Sequence, residues 1–96
     1  MNAPRVLRRL PAAPGWHLVY AVAEREPPVR FVPVVGWAVV DGAPGAAGPE
    51  VCPIPLGPAD AAPVIKALAG RDYLGAAAPG EEPGDWADRA RATLDA

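Results

Sequence analysis

Residues 29–41, VRFVPVVGWAVVD, form the longest apolar run in the chain and fix its architecture. Seven of the thirteen are β-branched or aromatic besides Val29 itself, which favours a pleated, half-buried backbone. The run predicts the central strand of a small sheet. Pro33 donates no N–H, so its side of the strand must meet an edge or a bulge. Gly36 has no side chain to pack, and such a glycine inside a strand marks a bulge or a close approach.

The run has a natural partner just upstream. Residues 16–23, WHLVYAVA, alternate cleanly, with Trp16, Leu18, Tyr20 and Val22 on one side and His17, Val19, Ala21 and Ala23 on the other. Glu24-Arg25-Glu26-Pro27-Pro28 between them reads as a hairpin loop. Pairing Glu24 with Val29 would set Val22 against Phe31, Tyr20 against Pro33, Leu18 against Val35 and Trp16 against Trp37. The bulky residues then share one face, and His17 stands beside Gly36 on the other.

Outward from this hairpin, residues 5–10 predict a short edge strand ended by Pro11, Pro14 and Gly15. Asp41-Gly42 opens a loop rich in Ala, Gly and Pro. Residues 50–56, EVCPIPL, predict a further edge strand or extended arm, because Pro53 and Pro55 keep it out of a sheet centre. An Asp60 cap, the stripe Ala61, Val64, Ile65 and Leu68, and a terminating Gly70 predict a helix over 60–69 packed on one face of the sheet. Asp72-Tyr73-Leu74 is an anchoring segment, and residues 76–84 are linker-like. A short C-terminal helix is expected over 85–95, with Trp86, Ala90 and Leu94 on one side. The expected class is α+β: an antiparallel sheet of three to four strands with two helices, in a single domain over 1–96.

Composition limits the core. Twenty-one alanines inflate the apolar fraction of 51%, and ten glycines with fourteen prolines make up a quarter of the 96 residues. The wealth of Ala, Pro, Gly, Val and Arg fits a GC-rich bacterial genome. The net charge of −2 divides into +2 over residues 1–48 and −4 over 49–96, a mild asymmetry that argues against general nucleic-acid binding. Arg5, Arg8, Arg9 and Arg30 are the residues a nucleic-acid accessory role would use. One cysteine, Cys52, excludes an intramolecular disulfide and suits a cytoplasmic setting. No apolar run follows the N-terminal arginines, so neither a signal peptide nor a membrane span is expected.

The inventory for catalysis is thin: one His, one Cys, no Ser, and Thr93 as the one hydroxyl besides Tyr20 and Tyr73. A Ser-His-Asp device is impossible. Cys52 with His17 is the one conceivable nucleophile–base pair, yet Cys52 sits in an apolar packing context between Val51 and Pro53. No zinc-ligand spacing or phosphate loop is present, so no metal or cofactor is expected. The expectation is a non-enzymatic binding or assembly module that meets a protein partner or a second copy of itself as a homodimer. The alternative is a small-ligand binder or minor enzyme using His17, Arg30, Gly36 and Asp41.

Overall fold

A computed structural model describes residues 4–95. Five strands and a helix follow in the order β1 (Arg5–Pro11), β2 (His17–Ala21), β3 (Val29–Asp41), β4 (Glu50–Pro55), β5 (Tyr73–Ala77) and α1 (Pro83–Asp95). All ladders are antiparallel. The strands run β1-β3-β2-β5, and β4 also pairs with β3. The α+β class and the central strand agree with the sequence reading, while the described residues form five strands where three to four were expected and one helix where two were.

β3 belongs to two ladders in succession. Its first half, Val29–Pro33, pairs with β2. Its second half lies between β1 and β4, so Gly36 faces Pro11 on one edge and Ile54 on the other. The pairing with β4 steps from Val34 opposite Pro55 to Gly36 opposite Ile54, leaving Val35 as an extra residue. That bulge reverses the alternation of the strand. Val32 and Val34 pack with Leu18, Trp16 and Tyr73, and so does Trp37, three positions on instead of two or four. Ala38 and Val40 thereby return to the side that Val29 and Phe31 occupy, and pack with Cys52 and Ile54.

The hairpin register differs from the expectation. Ala21 pairs with Val29, Val19 with Phe31, Leu18 with Val32 and His17 with Pro33. The offset from the expected register is three residues, an odd number, so partners exchange faces. Trp16, Leu18 and Tyr20 stay together, but Phe31 joins His17 on the opposite side. The cause is the loop. Pro27 and Pro28 bring no N–H, and Val22 leaves the strand to donate to the Pro28 carbonyl at 2.9 Å. Trp16 and Trp37 still meet edge to face, with ring centroids 5.0 Å apart, although they belong to no common ladder.

The helix expected over 60–69 does not form. Residues 57–72 are irregular, with isolated turns, in one of which Leu68 and Ala69 both donate to the Ile65 carbonyl at 2.9 Å. Ala62 precedes Pro63 and is steered away from helical dihedrals. The Val64 N–H is drawn to the Pro53 carbonyl of β4 at 2.8 Å. The segment therefore runs as a strap along β4. Its apolar stripe is divided: Ala61 and Ile65 join the cluster around Ala38, and Val64 and Ala69 join the one around Leu18.

β5 occupies the free edge of β2, where an anchoring segment was expected. α1 begins at Pro83, a residue suited to the first turn of a helix. Trp86 and Ala90 are buried against Val19, Ala21, Val29, Leu74 and Ala77, Leu94 flanks them, and Ala87 is buried as well. Gly75 lets Trp86 lie close on β5: its φ is +142°, and a Cβ there would approach the indole to 3.3 Å. Among the described residues, no helix is long and apolar enough to cross a membrane.

Candidate functional site

α1 covers only one end of its sheet face. Val19, Ala21 and Val29 lie beneath it, while Phe31 and Val35 remain 38% and 47% exposed. At the boundary, where the 78–82 loop enters the helix, lies a cavity of about 380 Å³. Its walls include His17, Phe31, Ala77, Gly80, Glu81 and Trp86. The size is that of a small-molecule site, and the lining is mainly apolar with a few polar groups.

The polar groups are oriented by their neighbours. His17 Nδ1 lies 3.1 Å from the Gly15 carbonyl. A carbonyl can only accept, so Nδ1 carries the proton, and in the neutral form of the ring Nε2 is then an acceptor. The His17 ring meets Phe31 edge to face at 6.3 Å. Trp86 Nε1 donates to Glu81 Oε2 at 2.8 Å, which occupies the indole donor and ties the loop to the helix. The Arg89 guanidinium lies over the Trp86 ring, 4.1 Å from its centroid.

Of the four residues suggested by the sequence, only His17 borders this cavity. Gly36 lies away from it, between β1 and β4, and the place of a Cβ there is filled by the Leu10 carbonyl oxygen at 2.8 Å and Ile54 Cδ1 at 3.4 Å. Arg30 faces Tyr20 across the ladder, its guanidinium 5.5 Å from the ring, on the opposite side of the sheet from His17. Asp41 closes the end of β3 and meets Arg5 at 3.7 Å. The expected grouping of His17 with Gly36 followed from the hairpin register and fails with it. Arg9 donates to the Ala61 carbonyl at 3.1 Å, bracing β1 against the strap. Phe31, Glu81 and Trp86 were not identified as site residues. The signal for two of them was local: a tryptophan in the first turn of a helix, five residues after a carboxylate.

Cys52 belongs to a different region, buried in β4 in the cluster around Ala38. Burial pushes its thiol pKa up, and the Glu50 carboxylate adds to the shift, so the thiol stays protonated and unreactive. Tyr73 is likewise pushed up to about 12, first by burial and then by Tyr20 and Cys52. Among the described residues, no group of three or more His, Cys, Asp or Glu side chains is placed to hold a metal ion. No family model, curated protein or solved structure matches the chain.

Proposed function

We propose that the chain is a non-enzymatic binding module that receives a small, largely apolar ligand in the cavity between His17, Phe31 and Trp86. The observation carrying this reading is the exposed Phe31 ring beside a cavity of about 380 Å³ walled by aromatic side chains and two polar groups. An exposed aromatic at the rim of a formed cavity gives a ligand apolar area to bury without rearranging the core. The fold supports it: a ligand there would touch β2, β3, the 78–82 loop and α1 together.

The test is a titration of ¹⁵N-labelled protein with 2-phenylethanol at low-millimolar concentration, followed by amide and indole resonances. Shifts are expected at His17, Phe31, Glu81 and the Trp86 indole, and Phe31→Ala should weaken them. Shifts scattered over the surface, or none, would sink the proposal.

A second reading, contact with a protein partner or a second copy, is favoured by β1. All seven of its residues are exposed, including Val6, Leu7 and Leu10. Its three arginines and the irregularity at Leu7 are devices that blunt an open edge, which makes it the weaker reading.

A further inference from the structure

We infer that the ligand of this cavity is an organic cation, a protonated amine carried on an apolar or aromatic body. The inference rests on the binding reading above and specifies its chemistry. It comes from the side-chain donors and acceptors of the wall. The Trp86 N–H is already consumed by Glu81. The His17 Nδ1 proton is consumed by the Gly15 carbonyl. What the side chains of the wall still offer are acceptors: the Glu81 carboxylate, with Oε1 left over, and His17 Nε2. A ligand that brought only acceptors would leave both unmatched, at a cost that grows with burial.

The local charge points the same way. Glu81 carries the formal charge among the lining residues, and Arg89, stacked on the indole, does not line the cavity. The Phe31 ring adds an exposed π surface, which attracts cations by its quadrupole. A carboxylate that can accept a charge-assisted hydrogen bond, beside an aromatic ring and an acceptor imidazole, suits an ammonium better than an alcohol or an acid.

Three ligands of nearly the same shape separate the possibilities: 2-phenylethylamine, cationic at neutral pH, neutral 2-phenylethanol, and anionic 3-phenylpropionate. The amine is expected to bind about tenfold more tightly than the alcohol, the size of one charge-assisted hydrogen bond, with the acid weakest. Glu81→Gln keeps an oxygen for the Trp86 N–H and removes the charge, so it should abolish the amine's advantage over the alcohol. An amine that binds no better than the alcohol, or an advantage that survives Glu81→Gln, overturns the cation assignment while leaving a binding cavity in place. If no member of the series shifts His17, Phe31 or Trp86, the binding reading falls as well. The ligand comparison on the unaltered chain decides the matter even if the variant folds poorly.

Discussion

Gly36→Ala is the most direct test of how the sheet is assembled. The backbone of Gly36 is extended, so alanine strains no dihedral there. The obstacle is space. The added methyl would sit 2.8 Å from the carbonyl oxygen of Leu10 and 3.4 Å from Ile54 Cδ1. The isoleucine can turn, but the carbonyl is backbone, so β1 must move away from β3. Overpacking of this kind costs about 1–3 kcal/mol. Loss of glycine's freedom in the unfolded chain returns about 0.4–1 kcal/mol. The net expectation is a destabilisation of about 1–2 kcal/mol, a sizeable share of the roughly 5–10 kcal/mol that holds a domain of this size. In urea, with a slope of about 1–3 kcal/mol/M, the midpoint should fall by about 0.3–2 M at unchanged slope. Gly84→Ala is the control. It lies in α1 with nothing within 4 Å of its Cβ position, and should be stabilised by about 0.5–1 kcal/mol through helix propensity. Tryptophan fluorescence reads both midpoints, and amide shifts show where the backbone moved. A Gly36→Ala protein as stable as the parent, or one whose shifts spare residues 5–11, would refute the close approach of β1.

Two further outcomes follow from buried groups. Trp86→Ala removes a side chain that is 5% exposed and tethers both Glu81 and Arg89, so it should cost about 3–5 kcal/mol and strip helical signal from the circular dichroism spectrum. A variant that keeps full helicity and its melting temperature would show that α1 docks without it. In a Tyr20→Phe background, which leaves burial as the main cause of the shift, the phenolate absorbance of Tyr73 should still rise above the ordinary value of 10.0. The folded state then holds this proton more tightly than the unfolded one. Its stabilising contribution is complete below about pH 10 and is lost as pH climbs toward 12. Urea midpoints that stay flat across that window would contradict the burial of the phenol.

Much of the sheet was legible because its signals are local. The apolar, β-branched run of β3 carries its own boundaries, and the prolines of β4 place it at an edge. The spacing of Trp86, Ala90 and Leu94 marks one face of α1 without reference to anything else. The failures were non-local or involved competition. The hairpin register depended on how two consecutive prolines close a loop, and side-chain size alone pointed to a pairing three residues away. The 60–69 stripe has the period of a helix, but Val64 gains more from a hydrogen bond to β4 than from a helix interrupted by Pro63. β5 is Tyr-Leu-Gly-Ala-Ala, poor in strand formers. It is a strand because β2 offers an unpaired edge, something no window on the sequence contains. The cavity follows from the register and from β5. Phe31 reaches His17 in the observed register alone, and Glu81 joins them once α1 is seated by β5.

The bulge at Val35 gives β3 two reading frames in a single strand. Upstream, residues 30, 32 and 34 turn toward Leu18 and Trp16, whereas downstream it is Trp37 that does so. A deletion at Val35 would act as a frameshift in packing: composition and length would hardly change, yet every side chain from Gly36 to Asp41 would trade sides of the sheet. Trp37 would be turned from Trp16, and Ala38 and Val40 would leave Cys52 and Ile54. A single surplus valine, nearly half exposed, thus keeps two otherwise incompatible halves of the core in phase.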